Sequence, residues 1–217
     1  YDTKYFWMVK IWTNHSKRAT QSKIMNWKTG LMNTDNWKSN WITVNNEDMT
    51  SPKIPYFIND FSVDSKIISA NLYITSRGVY QAHINGKRVG DSFLTPGWTS
   101  YNNRIQYQAY DVKETLLKGE NRIGVMLADG WYRNFRQNRK NRIVDYGKRT
   151  SFILELIISY EDGRKESIID DKNWSYNYGP ILSSSIYNGE KVDMNLKNSK
   201  WSFPLHKNRN SKKAKIA

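Results

Sequence analysis

From Val79 to Ile84 the chain alternates, with Val79, Gln81 and His83 on one side and Tyr80, Ala82 and Ile84 on the other. A period of two is that of a strand buried on one face. Asn85-Gly86 then offers two residues that tolerate positive φ, as a tight I′ hairpin requires, so Lys87 to Gly90 is predicted to return as the partner strand. Leu94-Thr95-Pro96-Gly97-Trp98 reads as a turn, because proline fixes φ and glycine tolerates the left-handed region. Ile105, Tyr107 and Ala109 alternate with polar residues and lead into Asp111-Val112, and Lys113 to Leu117 has room for one helical turn. Gly119-Glu120-Asn121 interrupts, and the apolar run Arg122 to Leu127 fits a buried strand. Asp129-Gly130-Trp131-Tyr132 closes the unit with a loop carrying two large aromatics.

Further strands are predicted on both sides. Tyr5 to Trp12 and Lys23 to Thr29 flank a turn at Asn14-His15, and two strands alone cannot bury a core. Residues 31–55 read as a linker in which Trp37 and Trp41 pin indoles into the next domain, a sugar platform being the alternative. Tyr56 to Val63 and Ile67 to Thr75 alternate as strands. Phe135 to Tyr146 is a long, polar, basic loop, of the kind that is either functional or mobile. Ser151 to Tyr160 and Lys165 to Ile169 pair across Asp162-Gly163; Asp170 to Tyr178 is turn-rich; Pro180 to Tyr187 and Lys191 to Leu196 complete the strands. Residues 202–217 are basic without an apolar period, which predicts a disordered tail. No stretch is helical in its periodicity, so the fold class is all-β, a β-sandwich over 56–201.

An ordered set of motifs now stands out. It comprises Tyr80 through Gly90, Pro96-Gly97-Trp98-Thr99, Tyr107, Asp111-Val112, Gly119-Glu120-Asn121, Asp129-Gly130-Trp131-Tyr132, Asp171 through Trp174, Gly179-Pro180-Ile181 and Tyr187 through Asp193. In that order they resemble the N-terminal, non-catalytic domain of bacterial α-L-rhamnosidases, over roughly Trp37 to Trp201. The resemblance implies a jelly-roll, galactose-binding-like β-sandwich, preceded over residues 1–30 by a partial fibronectin type III-like hairpin. It implies hydrolysis of terminal α-L-rhamnose in plant or microbial glycans by a separate helical (α/α)6 barrel, C-terminal to the β domains. Two carboxyls there act as general acid and general base with inversion. The chain is expected to stop before that barrel, so no catalytic residue is carried over and the piece alone is expected to be inactive. The implied partners are the catalytic barrel and rhamnose-containing glycans, in a bacterial periplasmic or secreted setting rather than the cytoplasm.

Composition narrows the chemistry. At 217 residues there is room for one sizeable domain. The absence of cysteine excludes disulfides and cysteine-based sites, and no apolar run reaches membrane-spanning length, so no membrane partner is expected. The formal charge of +14 raises nucleic acid as a partner, yet lysine and arginine are spread along the whole chain with no accompanying motif. That spread fits solvated strand faces, and nucleic acid is not expected. Carbohydrate is the sharper expectation, since sugars lay C–H patches on aromatic faces while polar groups satisfy their hydroxyls. The candidates are Trp98, Trp131, Tyr132, Arg133 and Asn134, with Glu190 and Asp193. Against this, the tryptophans have an equal claim as packing at the sandwich edge or against the barrel, and the carboxylates as structural groups. Glu120 and Asp129 read as turn residues. His15, His83 and His206 lack ligand spacing, so no metal site is built on them. Calcium serves related rhamnose-binding modules, but its ligands cannot be matched here; no other cofactor is expected.

Overall fold

The computed structural model describes residues 2–49, 51–133, 146–168, 172–207 and 210–217. The chain divides into two units, Tyr1–Lys38 and Ser39–Ala217. In the first, β1 (Lys4–Trp7) and β2 (Lys10–Thr13) return as β3 (Ser16–Gln21) and β4 (Met25–Lys28). β2 pairs with β3 across Asn14-His15 and β1 with β4, with Tyr5 stacked on its cross-strand neighbour Trp27 at 5.1 Å. The two strands expected here are thus one antiparallel ribbon, interrupted midway.

The second unit runs β5 (Ile42–Thr43), β6 (Pro55–Val63), β7 (Ile67–Arg77), β8 (Val79–Ile84), β9 (Lys87–Arg88) and β10 (Gln108–Asp111). It continues as β11 (Gly119–Ala128), β12 (Ser151–Tyr160), β13 (Lys165–Ile168), β14 (Ser175–Tyr178), β15 (Ile181–Ser185), β16 (Gly189–Val192), β17 (Lys212–Lys213) and β18 (Lys215–Ile216). Sheet one orders β10-β7-β12-β5-β18, with β13 on β12; sheet two orders β17-β14-β6-β11-β8-β9. Alternate residues face inward as the period of two requires. Leu72, Ile74, Phe152, Leu156 and Ile158 from sheet one share a core with Phe57, Ala82, Ile84, Ile123 and Val125 from sheet two. Phe57 meets Phe152 edge-on at 5.1 Å across the sandwich. Each such large side chain contributes about 1.5–3 kcal/mol by leaving water.

The hairpin forms as its sequence requires: Asn85 and Gly86 have φ of 51° and 82°. Asn85 also does something the turn rule does not ask of it. Its Nδ2 donates to the Thr115 carbonyl (2.9 Å) and to Asn121 Oδ1 (2.7 Å), while its Oδ1 accepts from Arg122 N (2.9 Å). Asn121, fully buried, donates to the Leu117 and Gly119 carbonyls and accepts from Leu117 N at 2.8 Å. Two turns distant in sequence are clasped by two amides.

Three expectations are corrected. The basic tail is not disordered where it is described: β17 adds to β14 in sheet two and β18 to β5 in sheet one, so the last residues tie the sheets together. Ala214 between them packs on the core, and Lys212 Nζ reaches Asp48 Oδ2 at 2.7 Å. Lysine suits exposed edge strands, which is why the segment reads as a solvated tail. The stretch 31–55 is not all linker, because Ile42 and Val44 are core and Ile54 belongs to a second apolar cluster. Finally, the strand expected over Lys191 to Leu196 ends at Val192 and gives way to a 3-10 turn, Met194–Leu196.

Asn121→Ala strands Leu117 N–H, two carbonyls and an Asn85 N–H in a buried place. We expect it to cost about 3 kcal/mol, seen as a melting temperature lowered by roughly 6–12 °C. A loss below one degree would show that the clasp is idle. The tail gives a second expectation. Burial opposes ionisation of Asp48, but hydrogen bonds from Lys212 and Tyr176 outweigh it and hold the carboxyl below its ordinary value. A group held low contributes stability that is present above its unfolded pKa, near 3.9, and is lost as pH falls through the folded value. The wild type should therefore lose more melting temperature between about pH 6 and about pH 3 than Asp48→Asn; equal losses would contradict this account.

Candidate functional site

The outer face of sheet two decides where a site can be. Val79, Gln81 and His83 of β8 lie opposite Ala128, Met126 and Gly124 of β11 on that face. The six-membered ring of Trp201 packs on Gly124, where a Cβ would come within 2.5 Å of the indole. The same ring meets Tyr56 edge-on at 4.9 Å and His83 at 5.2 Å. Burial, with Arg88 alongside, holds His83 below its ordinary pKa, so it is neutral at pH 7. The segment from Ile181 to Trp201 roofs this part of the face and builds the cluster of Ile54, Tyr56, Ile58 and Trp201.

Beyond the roof a groove of about 570 Å³ stays open. Val79, Gln81, Met126 and Ala128 form its floor, Ile181, Ser184 and Glu190 one wall, and Arg88, Phe93 and Leu94 the other, with Gly130 at one end. Ser184 Oγ donates to Glu190 Oε1 at 3.2 Å. Arg88 Nη2 donates to the Ser92 carbonyl at 2.5 Å, and its guanidinium lies 4.2 Å over the Phe93 ring. The volume falls within the usual range for small-ligand clefts, about 300–1,000 Å³, as does the mixture of apolar floor and few polar groups.

Next to Gly130 in the chain stands Trp131, whose ring is nearly parallel to Trp98, at 7° and 6.1 Å between centroids. Trp98 is 61 % exposed and donates from Nε1 to Tyr146 Oη at 3.2 Å. Both loops are anchored. Thr95 exchanges two hydrogen bonds with the Tyr80 backbone, at 2.9 and 3.0 Å, which docks the Trp98 loop on β8. Arg133, 5 % exposed, donates from Nε to Asp129 Oδ1 at 2.7 Å and from Nη1 to the Met49 carbonyl at 2.6 Å, which fixes the Trp131 loop.

The predicted site residues therefore part company. Trp98 and Trp131 come together as an aromatic platform. Tyr132 packs edge-on against Tyr101 at 5.3 Å, and its carbonyl accepts from Tyr146 N and Gly147 N, so it is taken up by contacts within the protein. Arg133 points inward as a strut. Asp193 caps the 3-10 turn by accepting from Asn195 N at 3.0 Å. Glu190 alone of the two carboxylates stands in the groove wall. Asn134 and most of the loop Phe135 to Tyr146 lie outside the described residues. Sequence reasoning did not find Arg88, Tyr101 or Tyr146. Tyr101 donates to the Gly97 carbonyl at 3.0 Å, and burial, with Tyr146 beside it, pushes its phenol up to about 12. Only the alternation that puts Gln81 on the outer face could have hinted at the groove. Among the described residues, no three His, Asp, Glu or Cys side chains converge to hold a metal. None of the described helices is long and apolar enough to cross a membrane.

Residues 65–217 match the family described as the alpha-L-rhamnosidase N-terminal domain. An alpha-L-rhamnosidase of Formosa agariphila is 34 % identical over 210 residues, spanning 91 % of this chain and 22 % of that protein. The crystal structure of native alpha-L-rhamnosidase from Aspergillus terreus superposes over 100 % of this chain and 26 % of its own, with a TM-score of 0.90 at 31 % identity. The structure of alpha-L-rhamnosidase from Dictyoglomus thermophilum covers 99 % of this chain and 25 % of its own, with a TM-score of 0.85 at 33 % identity. The chain thus spans about a quarter of the length of these relatives.

The split between platform and strut is open to measurement. Arg133→Met removes the buried guanidinium that ties Asp129 to the Met49 carbonyl and is expected to cost about 3–5 kcal/mol, whereas Trp98→Ala, which gives up one exposed stack, should cost about 1 kcal/mol. Urea unfolding of both variants checks this, and similar losses in the two would remove the distinction.

Proposed function

The chain belongs to the alpha-L-rhamnosidase N-terminal domain family, and from that premise we propose that it is the accessory part of a glycoside hydrolase acting on terminal α-L-rhamnose. It supports a C-terminal catalytic barrel, which carries out the hydrolysis, and contacts rhamnose-containing glycan on the sheet-two side. The observation that supports the contact is the parallel pair Trp98–Trp131, rigidly mounted and partly open to solvent, beside a groove of ligand size. Aromatic planes of this kind pack against the C–H face of a sugar ring, and loop anchoring before binding reduces the entropy lost on association. A second reading, a scaffold that grips the barrel and no sugar, is favoured by the exposed apolar side chains Phe93, Tyr187, Met194 and Leu205.

Calorimetric titration of L-rhamnose and a rhamnose-containing oligosaccharide separates the readings. Wild type should bind, with Trp98→Ala and Trp131→Ala each weakening binding by about tenfold or more. A wild type that shows no heat and no change in tryptophan fluorescence leaves the scaffold reading in possession. Neither the wild type nor the variants should turn over a nitrophenyl rhamnoside, because catalysis belongs to the barrel.

A further inference from the structure

Two buried arginines of the sandwich each hold a carboxylate. Arg122 grips Asp60 with Nε and Nη2, at 2.6 and 2.7 Å, and Arg133 grips Asp129 through Nε at 2.7 Å. Arg88 is different. It sits half-buried in the groove wall, and among the described residues no carboxylate pairs with it. Its Nη2 spends one hydrogen on the Ser92 carbonyl, and its Nε, shielded from water, has no partner. A guanidinium held in a concave, partly apolar place without a counter-charge is costly for the free protein and strong toward an arriving oxyanion.

We propose that the groove takes an acidic sugar, one carrying a carboxylate or a sulfate, with its oxyanion on Arg88 and its ring over Val79, Met126 and Ala128. This deepens the glycan-contact reading and rests on it. Gln81 and Ser184 are placed for hydroxyls, and Glu190, across the groove, disfavours a second anionic group. Phe93 is 80 % exposed, so its ring yields the guanidinium edge at little loss of buried area. The chain's +14 charge adds a long-range field that draws anions to it, which a neutral glycan would not exploit.

The test uses methyl glucuronoside, its uncharged methyl ester, a sulfated methyl rhamnoside and neutral methyl rhamnoside, titrated into the 217-residue chain and followed by NMR. We expect the acid to bind about tenfold tighter than its ester, with the gap narrowing between about 0.05 M and about 0.5 M salt. Preference for the sulfated over the neutral rhamnoside would mark sulfate as the source; preference for the acid alone would mark a uronate. Arg88→Gln should abolish the preference of acid over ester, and Arg88→Lys should restore only part of it. Equal binding of acid and ester by wild type overturns the proposal, as does a preference that survives in both variants. Neutral rhamnoside binding without any acid preference defeats this inference alone, whereas silence toward every sugar defeats the glycan reading with it.

Discussion

Two asparagine amides hold the register of this sandwich. Asn85 and Asn121 bond to each other and to the backbones of both turns, so β8 and β11 can align in one way only. Register matters here because side chains alternate with a period of two, and a slip of one residue would exchange the two faces of a strand. With the clasp closed, Ile84, Ile123 and Val125 enter the core, while Gln81, Met126 and Ala128 are laid out on the opposite face. The interaction that makes the core therefore also makes the floor of the groove.

That opposite face is too apolar to be left in water. Tyr56, Ile58 and Met126 need cover, and the segment from Ile181 to Trp201 supplies it, with Gly124 leaving space for the indole of Trp201. The cover ends before the face does. Ligand sites commonly arise where burial is incomplete yet the walls are already paid for by folding, and the groove follows that logic. Its polar groups come from the hairpin β15–β16 on one side and from Arg88 on the other.

The charged residues sort themselves by the same accounting of partners. Arg122 and Arg133 are spent inside, each on a carboxylate and on backbone carbonyls, so neither adds to a binding surface. Arg133 nevertheless serves one indirectly, since it immobilises the loop whose tip presents Trp131. The result divides a run of adjacent residues that look alike in sequence: Trp131 faces its partner indole, Tyr132 packs within the loop, and Arg133 turns into the body of the protein.

The sequence by itself determined the strands from Tyr56 to Tyr160, the Asn-Gly turn, the all-β class and the family resemblance, because alternation and turn chemistry are written over a few neighbouring residues. It also marked Trp98 and Trp131, since large aromatics in turns are conspicuous before any fold is known. What only the tertiary structure decided is who meets whom. Arg133 finds the carbonyl of Met49, and Lys212 the carboxylate of Asp48, across separations of 84 and 164 residues, and no local pattern encodes such a meeting. The Lys-rich tail became two edge strands for the same reason: its backbone had free sheet edges to pair with, and those edges exist only once the rest of the chain has folded.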